Sequence, residues 1–240
     1  MINQLSIIFP VYNEEIRLKK TFSEIIKFKK KIKKKKIEII FIDDGSKDES
    51  SLIIEKFASK MSSKNFVIKS YKLKKNMGKG YALKIGIKKC SLNWVLTTDV
   101  DLSVSLSQIF NWEKKANFKS KKIVFGSRNH RDSKVSKNFL RFILGKLFNF
   151  FVNQILNINL LDTQCGFKVY KKNVAKKIFS KLLNYGFTHD LELVLICLKE
   201  KIKIVEYPVK WTHKSGSKVN IFLDPVKMFL NMLYLKFRYY

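Results

Sequence analysis

Residues 94–101 read WVLTTDVD, an apolar run that ends in two aspartates one residue apart, Asp99 and Asp101. Residues 94–96 predict a buried strand, and side chains at i and i+2 near the end of a strand lie on one face. Two carboxylates placed in this way suit a hard divalent cation, which prefers oxygen ligands. For an isolated pair, solvated turn aspartates are the alternative. This pair is not isolated, because polar clusters end the other predicted strands as well.

Short apolar runs alternate with helical patterns along the chain. Strands are predicted at residues 5–9, 37–42, 66–71, 94–96 and 123–125, and helices at residues 15–30, 48–61, 79–89 and from Ser105 onward. This alternation predicts an α/β fold with a mostly parallel, Rossmann-like sheet and helices on both faces. Ligands of such sheets bind outside the carboxyl ends of the strands. With no repeat and no linker in the sequence, residues 1–240 are predicted to form a single domain.

The polar cluster after residues 37–42 is suited to a nucleoside. The carboxylates of Asp43 and Asp44 can accept hydrogen bonds from a base or a ribose, and Gly45 permits a tight turn. A turn that caps the next helix is the alternative explanation, and the residues alone do not decide between the two. Residues 76–80, NMGKG, form a glycine-bearing turn before a helix, where backbone amides and Lys79 can approach phosphates.

Taken together, these motifs resemble a known enzyme family. Residues 10–14 (PVYNE), 43–46 (DDGS), 76–80 (NMGKG) and 99–101 (DVD) follow the order and spacing of family 2 glycosyltransferases with the GT-A fold. The second half narrows the resemblance to dolichyl-phosphate β-glucosyltransferases and their prokaryotic relatives. It does so through residues 126–128 (GSR), 162–168 (DTQCGFK), 190–193 (DLEL) and 211–218 (WTHKSGSK). Dolichyl-phosphate mannose synthases are neighbours of this group, but they tend to carry Gln where this chain has Ser103.

The resemblance implies a role for each matching residue. Donor binding falls to Pro10, Tyr12, Glu14, Asp43, Asp44, Lys79 and Asp99. By this resemblance, Asp99 and Asp101 are expected to bind a Mg²⁺ or Mn²⁺ ion, and the expected catalytic residues are Asp101, Asp190 and Arg128. The acceptor phosphate falls to Arg128, Arg131, Gln164, Lys214 and Lys218. For Asp190, which stands where many inverting relatives place a base, a first-turn acid of a helix running to Lys199 is an equal alternative.

The implied reaction is inverting transfer of a hexose from a nucleotide sugar. Glucose from UDP-glucose onto a polyprenyl or dolichyl phosphate, at the cytoplasmic face of a membrane, is the expected form. GDP-mannose as the donor and a soluble saccharide as the acceptor are the alternatives within the family. A nucleic-acid-binding protein would also explain the charge, but the carboxylate clusters oppose a phosphate-covered partner, so no nucleic acid is expected.

The positive net charge and two apolar segments indicate binding to an anionic membrane surface. The chain has 49 Lys and Arg against 19 Asp and Glu, a net charge of +30, which attracts anionic partners. Residues 138–161 and 221–240 are rich in aromatic and aliphatic side chains interrupted by basic ones, which predicts amphipathic interfacial helices. Packing on the sheet or on a second subunit, as in a homo-oligomer, is the alternative.

The expected location is peripheral, at the cytoplasmic side of a membrane. The first ten residues have no basic leader, so no signal peptide is expected. No run of eighteen uncharged apolar residues is present, so no transmembrane helix is expected either. Three scattered cysteines, Cys90, Cys165 and Cys197, without metal-site spacing fit a reducing cytosol.

Overall fold

A computed structural model describes residues 2–32, 35–115, 118–136, 139–186, 188–214 and 223–240. Within these residues the chain forms nine strands and eight α-helices. The strands are β1 (Gln4–Val11), β2 (Lys36–Asp43), β3 (Phe66–Lys72), β4 (Trp94–Thr97), β5 (Ile123–Ser127), β6 (Lys134–Val135), β7 (Lys168–Lys171), β8 (Ile204–Pro208) and β9 (Lys210–Trp211). The helices are α1 (Glu15–Lys31), α2 (Ser50–Met61), α3 (Lys79–Lys89), α4 (Gln108–Glu113), α5 (Phe139–Leu156), α6 (Lys172–Ser180), α7 (His189–Lys199) and α8 (Leu223–Tyr239).

The main sheet has seven strands in the order β3-β2-β1-β4-β7-β5-β8. All neighbours pair in parallel except β7, which runs antiparallel between β4 and β5. The mostly parallel sheet flanked by helices is therefore confirmed. Strand β7 was not predicted, because the lysines at both of its ends hide its apolar pattern. Strand β8 was not predicted either, and β6 and β9 form a separate two-stranded sheet.

Two hydrophobic layers cover the two faces of this sheet. Neighbouring residues of one strand belong to opposite layers, as Ile7 and Ile8 of β1 do. Helices α1, α2 and α4 cover one face, while α3, α5, α6, α7 and α8 cover the other. Central strands are apolar on consecutive positions because they are buried on both faces. Gly86 of α3 allows close approach to the sheet, since a methyl group there would lie 2.4 Å from Ile8 Cγ2.

The two apolar segments form helices α5 and α8, which pack against each other. Val152 and Leu156 of α5 and Met232 and Leu235 of α8 are fully buried in the sheet-facing layer. Other apolar side chains of this pair remain exposed: Phe150, Phe151, Val226, Phe229, Leu230, Tyr234 and Phe237. Each helix is thus partly a core element and partly an apolar surface. In the part of the chain that the structure describes, no helix is long and apolar enough to cross a bilayer.

Candidate active site

Asp99 and Asp101 lie just beyond the carboxyl end of β4, as the sequence predicts. The Lys79 amine lies 2.5 Å from Asp99 Oδ1, and the Asp99 side chain is 42% exposed. Asp101 Oδ1 accepts the backbone N–H of Ser103 at 2.9 Å, which closes the turn after the strand. A methyl group on Gly166 would lie 2.3 Å from Asp99 Oδ2, so a side chain there would force this carboxylate to move.

Lys79 is the first residue of α3, and its amine lies among carboxylates. The preceding Gly78 has a φ of 98°, a backbone conformation that residues other than glycine rarely adopt. Burial by itself lowers the pKa of Lys79. The carboxylates of Asp99, Asp190 and Asp101 act in the opposite direction and raise the pKa above its ordinary value. Lys79 therefore stays positively charged at the edge of the sheet where a phosphate-bearing ligand binds in this class of fold.

Asp43 and Asp44, at the end of β2, differ in what they contact. Asp44 accepts the backbone N–H groups of Met77 and Gly78, both at 2.8 Å, so it fastens the glycine turn to β2. Asp43 Oδ1 accepts the N–H of Ser46 at 2.8 Å. Its buried Oδ2 has no hydrogen-bond partner within the described residues. The turn explanation thus holds for Asp44, whereas Asp43 keeps one acceptor available for a ligand.

The predicted donor residues at the end of β1 and just after it lie at the same edge of the sheet. Pro10, Tyr12 and Glu14 are all half-buried there. The Asn13 N–H donates to Ser46 Oγ at 2.9 Å, which ties this loop to the loop after β2. The structure therefore brings the first three sequence motifs to one place.

Asp190 lies in the first turn of α7, inside a buried ionic cluster. The Lys168 amine, itself 2% exposed, donates to Asp190 Oδ1 and to the Thr163 carbonyl. Burial by itself raises the pKa of Asp190, but His189, Lys168 and Lys79 outweigh it and lower the pKa to about 2. A carboxylate this acidic and already paired is a weak proton acceptor. Lys168, which donates to Asp190, belongs to one of the sequence motifs, but the sequence analysis assigned it no role.

Arg128 donates to Asp162 rather than facing solvent alone. Its Nε and Nη2 lie 2.7 and 2.9 Å from the two oxygens of Asp162, a bidentate pair. Burial alone would lower the pKa of Arg128, and the charge of Asp162 raises it above its ordinary value. Glu206 of β8 accepts the N–H groups of Leu161 and Asp162, both at 2.8 Å, and so fixes this loop. Glu206 had no signal in the sequence, because a lone acid in an unpredicted strand belongs to no motif.

The other predicted acceptor residues are less closely gathered. Arg131 has a 91% exposed side chain and lies 3.9 Å from Asp132. The backbone of Gln164 donates to Asp162, and Gln164 is half-buried beside this pair. Lys214 and Asp101 both line an open cleft of about 1110 Å³ between α1 and the segment after β9. Lys218 lies outside the described residues.

Among the described residues, the acidic pair would hold a divalent cation together with oxygens from a ligand. Within the described residues no three His, Cys, Asp or Glu side chains come together as a complete metal site. Mg²⁺ and related ions are commonly held by one or two carboxylates plus the phosphates of a substrate. Asp101, which lines the open cleft, and Asp99, whose side chain is 42% exposed, are accessible to such a ligand and fit that arrangement.

Comparison with known proteins agrees with this geometry. A family model described as "Glycosyl transferase family 2" matches residues 6–179. A dolichyl-phosphate beta-glucosyltransferase of Dictyostelium discoideum is 37% identical, with 98% of this chain and 74% of that protein covered. The dolichyl-phosphate beta-glucosyltransferase of Homo sapiens is 33% identical, with 98% and 76% covered.

Solved structures show the same fold at low sequence identity. Glucosyl-3-phosphoglycerate synthase from Mycobacterium tuberculosis, in complex with Mn²⁺, UDP-glucose and phosphoglyceric acid, superposes with a TM-score of 0.66. It is 12% identical, over 98% of this chain and 80% of that one. A mannosyltransferase from Pyrobaculum calidifontis, in complex with GDP-mannose and Mn²⁺, gives a TM-score of 0.63 at 14% identity, over 99% and 64%. These likenesses establish a GT-A fold for the chain.

Proposed function

The chain belongs to glycosyl transferase family 2 and is a glycosyltransferase, and we propose that it transfers glucose from UDP-glucose to dolichyl phosphate or a related polyprenyl phosphate. The observation that carries the proposal is the similarity to dolichyl-phosphate beta-glucosyltransferases over 98% of the chain. The site at the carboxyl edge of the sheet supports it, because acidic and basic side chains gather there as a nucleoside diphosphate requires.

The donor binds along the ends of β1, β2 and β4. Asp43 Oδ2, a buried acceptor without a partner in the described part of the chain, takes a hydrogen bond from the base or the ribose. Asp99 and Asp101 are the residues that would hold a Mg²⁺ or Mn²⁺ ion. Such an ion neutralises charge on the leaving oxygens when bound. Lys79 contributes a second positive charge at the same place.

In the reaction, the bond between the anomeric carbon of glucose and the diphosphate oxygen breaks. A phosphate oxygen of the acceptor forms the new bond from the opposite face of the sugar, which inverts the anomeric configuration. The acceptor oxygen is already anionic near neutral pH, so the attack requires no strong base. Asp190 therefore pairs with Lys168 and helps to keep Lys79 protonated, and it does not remove a proton. Arg128 and Lys214 flank the approach of the acceptor phosphate.

The exposed face of α5 and α8 docks on the membrane that contains the acceptor. Val226, Phe229, Leu230 and Phe237 of α8 are apolar and exposed, and Lys227, Lys236 and Arg238 stand among them. Apolar burial and attraction of basic side chains to anionic headgroups act together on such a helix. The phosphate of the acceptor then reaches the site while the prenyl chain of the acceptor stays in the bilayer.

A donor and acceptor screen tests the function. Radiolabelled UDP-glucose, UDP-N-acetylglucosamine and GDP-mannose are offered with dolichyl phosphate, undecaprenyl phosphate or a soluble oligosaccharide, in detergent with Mn²⁺. We expect lipid-linked product from UDP-glucose and a polyprenyl phosphate, and none from an Asp101→Asn control. Product from GDP-mannose alone, or on the oligosaccharide alone, would contradict the proposal.

A further inference from the structure

Glu192 is a buried carboxylate to which neither the sequence motifs nor the proposed reaction gives a role. It lies in α7, two residues after Asp190, and is 0% exposed. Its Oε2 accepts the backbone N–H groups of Leu183 at 3.0 Å and Asn184 at 2.5 Å. Its Oε1 accepts the hydroxyl of Tyr239 at 2.9 Å. A buried carboxylate is costly unless it is hydrogen-bonded, so these three donors define what Glu192 does.

The loop that Glu192 holds packs directly on the glycine turn of the donor site. The Gly80 N–H donates to the Tyr185 carbonyl at 2.9 Å. A methyl group on Gly78 would lie 2.5 Å from that same carbonyl oxygen, and one on Gly80 would lie 3.0 Å from Tyr185 Cα. The turn has no space to shift toward this loop. The position of Lys79 therefore depends on where the loop held by Glu192 lies.

The third donor to Glu192 comes from a different part of the molecule. Tyr239 is in the last turn of α8, whose Met232 and Leu235 are buried in the same hydrophobic layer as α7. Burial and the hydrogen bond to Glu192 both raise the pKa of Tyr239, so the hydroxyl stays protonated and donates. Glu192 thus contacts, with its two oxygens, the loop beneath the donor turn and the helix with the exposed apolar face.

We propose that Glu192 is a positioning residue for the donor site, and that through Tyr239 it makes the placement of the glycine turn depend on the seating of α8. The carboxylate is shared between two loop amides and one hydroxyl. Loss of the hydroxyl lets the carboxylate move, and the amides and the Gly78–Gly80 turn follow. An enzyme with α8 displaced then binds the donor diphosphate weakly although every donor-contacting side chain is intact. The nature of the donor rests on the proposed function.

Two tyrosines of α8 provide a matched pair of variants for the test. Tyr239→Phe removes only the hydroxyl that Glu192 accepts. Tyr234→Phe makes the same chemical change on the same helix, where the hydroxyl accepts from Arg238 at the exposed surface. The first measurement is amide hydrogen exchange of the protein without nucleotide. We expect faster exchange at residues 183–185 and 78–81 in Tyr239→Phe and parent rates in Tyr234→Phe. Unchanged exchange at both segments in Tyr239→Phe would overturn the proposal.

The second measurement is the affinity for UDP with Mn²⁺, by calorimetry, together with steady-state kinetics. We expect Tyr239→Phe to weaken UDP binding and raise the donor KM by about threefold to tenfold, the range of one hydrogen bond. The acceptor KM stays at the parent value. Glu192→Gln weakens donor binding further, because it also weakens the hold on the loop. Equal rises in both KM values would overturn the positioning role. A parent protein that does not bind UDP would instead contradict the proposed donor, and hydrogen exchange would still decide the role of Glu192.

Discussion

At the residue scale, the two carboxylate oxygens of Asp43 have different surroundings. Its Oδ1 accepts from Ser46, while Oδ2 is buried without a partner in the described residues. Asn at this position can still accept the Ser46 N–H through its amide oxygen. It has an NH₂ group in place of the second carboxylate oxygen and carries no negative charge. Asp44, one residue later, has both oxygens engaged by backbone amides.

We therefore expect Asp43→Asn to raise the donor KM by about tenfold to a hundredfold, since hydrogen bonds to charged groups contribute about 1.5–3 kcal/mol. The acceptor KM stays near the parent value. Steady-state kinetics with each substrate varied in turn measure the two constants. Comparable effects on both substrates would mean that Asp43 only shapes the loop.

The second residue-scale prediction concerns the acidic pair. Asp101→Asn is expected to reduce kcat/KM by at least about a hundredfold, because it removes a charge that the diphosphate-bound cation needs. Excess EDTA is expected to have the same effect on the parent enzyme, with recovery on adding Mn²⁺. Radiolabel transfer measures both. Full activity in EDTA would show that Asp99 and Asp101 do not hold a required metal.

At the element scale, α5 and α8 share their residues between core and surface. Phe148 packs against the buried layer of the protein, whereas Phe150 is 57% and Phe237 is 87% exposed. The exposed pair is therefore the correct target for a test of docking. A substitution at Phe148 would also disturb the core.

Phe150→Ser with Phe237→Ser is expected to release the protein from anionic vesicles without lowering its melting temperature. Each of these aromatic side chains gains free energy from burial in the bilayer, and salt does not screen that gain. Each lysine near the anionic membrane surface contributes about 1 kcal/mol, which salt does screen. Flotation with phosphatidylserine vesicles at low and high salt measures binding, and the parent is expected to weaken in salt but not detach fully. Ile16→Ser is the control, because Ile16 is 82% exposed on α1, a helix that covers the opposite face of the sheet from α5 and α8. If the parent protein does not bind the vesicles, the prediction of membrane docking is wrong, and a subunit interface becomes the alternative for this face.

At the scale of the whole molecule, positive charge lies mainly outside while several acids are enclosed and paired. Glu38 contacts Lys69, Asp162 contacts Arg128, and Asp190 contacts Lys168. An enclosed carboxylate whose pKa is lowered adds stability only while it is ionised. The folded state therefore loses these contributions in acid.

Asp190 allows this loss to be measured. Burial raises its pKa, but the surrounding positive charges lower it to about 2, below the ordinary 3.8. Its contribution, on the order of 2 kcal/mol, is present above pH 3.8 and is lost as the pH falls toward 2. Urea unfolding of the parent and of Asp190→Asn is expected to show a difference in free energy that narrows across that interval. A difference independent of pH would show that folding does not shift the pKa of Asp190.

Most of the site could be located from sequence because parallel strands deliver their ends to one edge. Residues 43–46, 76–80 and 99–101 follow apolar strands, so their proximity follows from topology once the alternation of strands and helices is recognised. The antiparallel strand β7 was missed, and with it the burial of Lys168. Local pattern cannot reveal a lysine whose amine is compensated by Asp190, because the two are 22 positions apart.

The sequence by itself determined the fold class, the edge of the sheet that holds the candidate site, and the position of the acidic pair. These follow from periodicity and from motifs of adjacent residues. Only the tertiary structure decided which polar side chains are already engaged. Arg128 is paired with Asp162, Asp190 with Lys168, and Asp44 with the glycine turn, whereas Asp43 keeps an acceptor in the described residues. The physical reason is that hydrogen bonds and ion pairs depend on distances between residues far apart in the chain, and burial decides how strongly each acts.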